Sequence, residues 1–480
     1  MLEPAKIFWG RLKQRLSGGL ANPRDPHKLS VDHAWRTQLR LRRELQQRQT
    51  ADFYYLIDVV GTCNLRCPSC PVGNYEVLPP QGLMSIEMYR AILDKISREH
   101  PGERIFIDLY NWGEPSLHKQ LGQIVRLTKE HGYGVGISTN LNVFPDMKGV
   151  IQASPSYIRV SLSGYFNETY KRTHKRGDIN LVKANLYLLR HLIDKFGSDT
   201  IVQVGFHVYK SNFPIDFQKM FEFCQELDFI FAPTLAALMP VEKAVKAVDG
   251  QELEVDREIL DNLVVSMRDR TRVLSVLREK YLDCQYRQKR TTINFDGSVP
   301  LCCATFEDEQ IIARNFLEIS HEELQTRKYA HKFCGQCQAR SLDMVYTGVE
   351  PHLVEDFAVS VLGPRYRDFL DQWNVPLDPR VEWEGRELSA QEAFGLTAVY
   401  QARGESARAK RLFAAIISEF PRHGEATYRL GLIAESEGDS LRALQLYEAA
   451  QSIWPTHPPY AEAVSRVKAG YVDEPAQQAE

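Results

Sequence analysis

The stretch Gly61-Thr-Cys63-Asn-Leu-Arg-Cys67-Pro-Ser-Cys70-Pro71 follows directly on the β-rich run Tyr54–Val60. Three cysteines spaced Cys-x3-Cys-x2-Cys on one loop bring three soft thiolates together, and iron–sulfur clusters are held by thiolate. A four-iron cluster takes four ligands, so three local cysteines leave one iron open for a small molecule. The alternative is a zinc knot completed by a distant residue, although zinc sites more often show paired Cys-x-x-Cys or Cys/His groups.

Outward from this loop the chain alternates strands and helices. Further β-rich runs fall at Arg104–Asn111, Gly134–Thr139, Tyr157–Ser163, Thr200–Tyr209 and Phe229–Leu238. Amphipathic helical stretches at Ser85–Glu99, Gln120–His131, Leu181–Lys195 and Pro214–Leu227 separate most of them. This alternation predicts an α/β fold, a partial (β/α)6 barrel over residues 51–240, with its active face at the C-terminal ends of the strands. In the fifth strand Val202, Val204, Phe206 and Val208 form the face that packs on helices. Gln203, His207 and Tyr209 then point into the barrel, and the same parity turns Asp108, Tyr110, Arg159, Ser161 and Ser163 inward.

Small motifs sit at the ends of these strands. They are Asn111-Trp112-Gly113-Glu114-Pro115, Ser138-Thr139-Asn140, Ser161-Leu-Ser163-Gly164 and, downstream, Arg176-Gly177, with Asn212 beyond the fifth strand. Alone, each reads as a turn or a helix cap. In this order, each after its own strand and behind the three-cysteine loop, they resemble the radical S-adenosylmethionine (SAM) superfamily over roughly Asp52–Leu238. The resemblance implies a [4Fe–4S] cluster on Cys63, Cys67 and Cys70 and a SAM site built from Gly113, Glu114, Ser138, Asn140, Ser161 and Arg176. The sequence departs from the family at two positions. Ser69 replaces the aromatic residue often found before the third cysteine, and Trp112 stands where the second motif usually begins with Gly. Tyr75 is the substitute candidate for an adenine contact.

The chain has 480 residues and nine cysteines, eight of them in three short regions. Clustered cysteines of this kind point to metal rather than disulfides. Cys224 stands apart in a helical run and reads as a buried apolar residue. Cys284, the adjacent pair Cys302/Cys303, and Cys334-Gly-Gln-Cys337 lie around Ile293-Asn-Phe-Asp-Gly297-Ser-Val-Pro300, which reads as a strand–turn–strand hairpin. This set resembles the auxiliary-cluster domain called twitch, the short form of SPASM, and implies one fully ligated [4Fe–4S] cluster. Neighbouring strand residues face opposite ways, so one of the adjacent pair binds, and Cys302 is favoured. Structural zinc is the alternative.

The C-terminal stretch 391–470 repeats itself. Gly404/Gly438, Ala409/Ala443, Leu412/Leu446, Phe413/Tyr447, Pro421/Pro455 and Leu396/Leu430 all match at an offset of 34 residues. That is the period of a tetratricopeptide helix–turn–helix unit and predicts all-α helical repeats with a final helix, then a frayed end at 473–480. Residues 241–340 read as the small auxiliary-cluster domain and 341–390 as a linker region with helical pieces. Residues 1–50 form a basic helical arm with eleven Lys/Arg against four Asp/Glu. Its segment with Ile7, Phe8, Trp9, Leu12 and Leu16 reads as packed on protein, with a membrane surface as the alternative.

Net charge is −3, which excludes a nucleic-acid bias, and no apolar run reaches a transmembrane length or a signal peptide. A cytoplasmic enzyme is expected, using SAM and an electron donor such as flavodoxin or ferredoxin. It abstracts hydrogen from carbon of a small molecule, in the manner of a carbohydrate-like dehydrogenase or related oxidoreductase. The competing readings are a peptide- or protein-modifying maturase, with a protein partner on the repeats, and a non-catalytic repeat scaffold.

Overall fold

The computed structural model describes residues 26–78, 81–253, 257–373, 380–388, 390–420, 423–453 and 458–472. The amphipathic segment around Trp9 and the C-terminal tail lie outside these residues. The chain divides into two compact units after Trp373.

The first unit is built on seven parallel strands: β1 (Phe53–Ile57), β2 (Ile105–Asp108), β3 (Gly134–Thr139), β4 (Tyr157–Leu162), β5 (Ile201–Val208), β6 (Ile230–Leu235) and β7 (Arg290–Ile293). Their order is β6-β5-β4-β3-β2-β1-β7, an open partial barrel of α/β class. Period-two alternation decides the faces. Phe53, Tyr55 and Ile57 are buried in one cluster with Tyr89, Ile92, Leu93 and Ile96 of helix Ile86–Glu99. Val202, Val204, Phe206 and Val208 share that core with Phe217, Met220 and Phe221, whereas Gln203 and His207 are only partly buried. Cys224 is fully buried in helix Ile215–Glu226.

Helix Pro26–Gln49 closes the N-terminal end of the barrel. Leu45 packs with Phe106, Tyr157, Ile201 and Ile230, the first residues of their strands or close to them. The Gln38 amide donates to the Phe229 carbonyl (2.7 Å) and accepts from the Phe231 N–H (3.0 Å), continuing the backbone bonding of β6. The open end is therefore the one that carries the motif loops.

The expected turn at Asp296-Gly297 forms, with Gly297 at φ +83° and the Asn294 N–H donating across it to the Ser298 carbonyl (2.8 Å), and beyond it the two arms take different strand partners. The first arm enters the barrel sheet beside β1 as β7, and Val299–Pro300 (β8) pairs antiparallel with Ile311–Ala313 (β9). The edge of β1 would otherwise leave a row of buried backbone groups unpaired, and four residues of β7 satisfy it. The helical pieces expected in the linker region are packed into the first unit's core as far as Trp373. Helices Leu342–Thr347, Pro351–Leu362 and Pro364–Trp373 belong to the first unit, and Phe369 packs edge-on to Phe217 with ring centres 4.8 Å apart. Their apolar stripe has the length of a buried helix face, which the prolines at helix starts obscure in the sequence.

The second unit holds the small hairpin Val381–Trp383/Arg386–Leu388 and helices Ala390–Ala402, Ser406–Glu419, Gly424–Ser436, Ser440–Ile453 and Pro458–Val472. The repeat positions explain themselves. Ala409 and Ala443 are both fully buried at helix crossings, and Gly404 and Gly438 both take positive φ at the inter-helix turns. Among the described residues no helix is long and apolar enough to cross a membrane.

Candidate functional site

The loop after β1 folds around its cysteines. The Cys70 N–H donates to the Cys67 carbonyl (3.0 Å), and the Leu65 N–H donates to Cys63 Sγ (3.4 Å). Gly73 lets the following turn approach, since a Cβ there would lie 2.2 Å from the Cys67 carbonyl oxygen. Burial pushes the Cys63 thiol up to about 12 and Cys70 to about 11; Cys67 rises as well, by burial and by the neighbouring thiols. Such thiols ionise only when a cation takes the place of the proton. Three soft donors on one loop fit an iron–sulfur cluster.

The motif loops are tied to this one by short hydrogen bonds. Asp58, just past β1 and buried, accepts the N–H groups of Trp112 (2.9 Å) and Gly113 (3.0 Å) on one carboxylate oxygen, while Oδ1 has no partner. Gly113 passes so close to β1 that an added Cβ would stand 1.5 Å from the Val60 carbonyl oxygen. Glu114 is buried beside it. Its N–H donates to the Thr62 carbonyl (2.8 Å), and its carboxylate accepts from the Ser116 hydroxyl (2.6 Å) and the Asn140 N–H (2.8 Å). Asn140 donates in turn to Asn64 Oδ1 (2.8 Å) and lies 3.7 Å from Cys63 Sγ. Gly113, Glu114 and Asn140 are thus joined to the three-cysteine loop.

The other predicted positions sit further round the rim. Ser138 and Ser161 face each other across β3 and β4, their hydroxyls 3.2 Å apart. Arg176 is exposed at φ +74°, next to Lys175, whose carbonyl accepts the Arg66 N–H (3.0 Å). Asn212 spends its amide on the Ser163 (3.0 Å) and His207 (2.8 Å) carbonyls, so it laces β4 to β5. Ser163 bonds to His174 Nδ1 (2.9 Å), and burial holds His174 neutral, down to about 3. Tyr75 turns toward the second cysteine region, where its hydroxyl donates to Glu307 (2.8 Å) and its ring meets Phe306 at 5.2 Å.

Four thiols of the second set, Cys284, Cys302, Cys334 and Cys337, line a single cavity. Cys303 is absent from it and faces the Arg290 guanidinium instead, at 3.8 Å. Among the described residues no three His, Cys, Asp or Glu side chains close on one point. The two cysteine sets are linked through Trp112, whose indole N–H donates to the Thr305 carbonyl (2.9 Å), and Thr305 Oγ1 donates to the Cys302 carbonyl (2.9 Å).

The inward faces of β2 and β4 carry polar side chains. Tyr157 donates to Asp108 (2.6 Å) and lies 3.4 Å from the Tyr110 hydroxyl. Arg159 lies flat on Gly205, where a Cβ would meet its Nε at 2.5 Å. Asp58, Arg290, Tyr286 and Thr305 went unnoticed in the sequence. Only Asp58 left a signal there, a carboxylate closing an otherwise apolar strand.

An open parallel barrel with a three-cysteine loop after its first strand defines the class, and the comparisons agree with it. Residues 57–208 match the model described as the radical SAM superfamily, and residues 398–458 match a tetratricopeptide repeat. The chain thus carries a radical SAM domain match over about a third of its length; members of that superfamily are enzymes that use a [4Fe–4S] cluster and SAM. One curated relative is the tungsten-containing aldehyde ferredoxin oxidoreductase cofactor-modifying protein of Pyrococcus furiosus. It is 30% identical over 93 residues, which is 19% of this chain and 25% of that protein, so the match spans about a quarter of the relative's length. Among solved structures, anSMEcpe with bound AdoMet is 15% identical with a TM-score of 0.40, covering 64% of this chain and 99% of that one. SuiB of Streptococcus suis bound to precursor peptide SuiA is 13% identical with a TM-score of 0.39, covering 67% and 76%. BtrN in complex with AdoMet and 2-DOIA is 13% identical with a TM-score of 0.34, covering 59% and 87%.

Proposed function

We propose that this is a radical SAM oxidoreductase acting on a hydroxyl-rich, carbohydrate-like small molecule, with two [4Fe–4S] clusters. In this reading Cys63, Cys67 and Cys70 hold the first cluster, and Cys284, Cys302, Cys334 and Cys337 hold the second. When bound, the first cluster would supply reductive one-electron chemistry on SAM, fed by an external electron donor, for abstracting hydrogen from carbon. The chain's own residues bind and orient. Gly113 offers open backbone held in place by Asp58. Glu114, Ser138, Asn140 and Ser161 present oxygens and an amide along one rim, and Arg176 presents a cation for the SAM carboxylate. Helix Pro26–Gln49 keeps water from the far end of the barrel.

The observation that carries the reading is the set of polar side chains on the inward faces of β2, β4 and β5. The donors and acceptors of Asp108, Tyr110, Tyr157, Arg159 and Gln203 suit a substrate rich in hydroxyls. Anaerobic reconstitution tests it. The full chain should hold about eight irons and release 5′-deoxyadenosine under reductant, faster with a polyol substrate than without. Failure to cleave SAM sinks the reading.

The tetratricopeptide match favours a second reading, in which the substrate is a peptide or protein delivered through the repeats. A peptide that is modified in place of any polyol would establish it.

A further inference from the structure

A lysine lies inside the first unit with no carboxylate to answer it. Helix His321–Ala330 begins at Ser320, whose side chain accepts the Glu323 N–H. It turns Leu324 and Lys328, one helical turn apart, onto its buried face. Lys328 is 1% exposed. Its ammonium donates to the Arg290 carbonyl (2.7 Å) and to the Thr291 hydroxyl (2.9 Å), both on β7. No carboxylate among the described residues forms an ion pair with it, and the largest influences that favour its charge come from the thiols of Cys302, Cys334, Cys303 and Cys284. The neighbouring cations differ. Arg278 is paired with Asp343 and Arg287 with Asp283, and Arg290 stacks on Tyr286 at 4.3 Å.

A buried ammonium is costly unless an anion compensates it. Burial drags Lys328 down to about 8, and the neighbouring thiols offset only part of that shift. Four thiolates around iron make an anionic centre, and each electron added makes it more so. We propose that Lys328 is the buried counter-ion of the second cluster and raises that cluster's reduction potential; this rests on the two-cluster reading above. Potentials of such clusters follow net charge, hydrogen bonding and solvent exposure, and a water-free ammonium acts through the first of these. Lys328 touches neither substrate nor cluster in this role, so it is a positioning residue for electron flow.

The test is potentiometric titration, followed by electron paramagnetic resonance, of the full anaerobically reconstituted chain. The wild type must first hold about eight irons; if it holds about four, both the two-cluster reading and this proposal fall. Given two clusters, Lys328→Met should lower the equilibrium constant for reducing the second cluster at least tenfold, about 59 mV for one electron. The first cluster should not move. Lys328→Gln keeps a donor for the Arg290 carbonyl and covers the case in which the Met variant misfolds; it should shift the same way. Lys328→Arg should restore most of the potential. Unchanged potentials in both neutral variants would overturn the proposal while leaving the two-cluster reading intact. An equal shift in Lys332→Met, at an exposed lysine two residues from Cys334, would overturn it too.

Discussion

The two cysteine sets reach their positions by different routes. Cys63, Cys67 and Cys70 come from one loop, and local hydrogen bonds among residues 61–75 set their geometry. Cys284, Cys302, Cys334 and Cys337 come from separate segments and meet only because β7 docks on β1 and two helices follow β9. The first set supplies three thiols from one turn, and the second supplies four around one cavity that Thr305 also lines. A local motif is robust to changes elsewhere in the chain, whereas an assembled one is only as sound as the fold that gathers it.

Removing a thiol from each set breaks this comparison most directly. Cys67→Ala should abolish SAM cleavage, reduce iron by about half and leave the second cluster's spectrum in place. Loss of both clusters together would mean that the sets are not independent. Within the second set, Cys302→Ser should remove the second cluster, while Cys303→Ser retains it, because only Cys302 lines the shared cavity. Iron content and electron paramagnetic resonance read both variants, and the opposite pattern would transfer the ligand role to Cys303.

The same contrast explains what the sequence disclosed. Strands β1 to β6 were legible because one face of each is apolar and the repeating units place them about a helix apart; β3 falls at Gly134–Thr139 as expected. The motif residues were legible because they cluster at strand ends. β7 was not. Arg290-Thr-Thr-Ile293 next to an Asp-Gly turn looks like half a hairpin, and nothing local records that its partner is β1. Lys328 was hidden for a related reason. A lysine in a charged helix such as His-Glu-Glu-Leu-Gln-Thr-Arg-Lys reads as surface until the strand beneath it is known.

Asp58 offers a finer separation of the two regions, since it braces only the first. Burial raises its carboxyl to about 6, against an ordinary 3.8. Between those values the folded protein keeps a proton that the unfolded chain has released. The group's contribution to stability is therefore fully present below about pH 4 and is lost as pH rises through about 6. Asp58→Asn has no such proton to lose. From pH 4 to 7 the variant should gain about 3 kcal/mol on the wild type, measured by chemical denaturation of the apoprotein. Parallel stability curves would show that Asp58 is ionised throughout. The variant should also weaken SAM binding, because the Trp112 and Gly113 N–H groups lose a carboxylate acceptor.

The smallest effect is expected at the join between the regions. Trp112 reaches across with one indole N–H to the Thr305 carbonyl and packs against Phe306 with ring centres 6.2 Å apart. Trp112→Phe keeps a ring and deletes the donor, which costs about 1 kcal/mol. The Phe306 and Glu307 amides, held by the Glu242 carboxylate at 2.9 and 3.2 Å, should then exchange with deuterium about fivefold faster. The Gly113 and Glu114 amides should keep their protection, since Asp58 and the Thr62 carbonyl still hold them. Iron content should stay at the wild-type level, because neither thiol set depends on the indole. If both sets of amides loosened together, the site would be one cooperative body, and the contrast between a local and an assembled cysteine set would lose its physical basis.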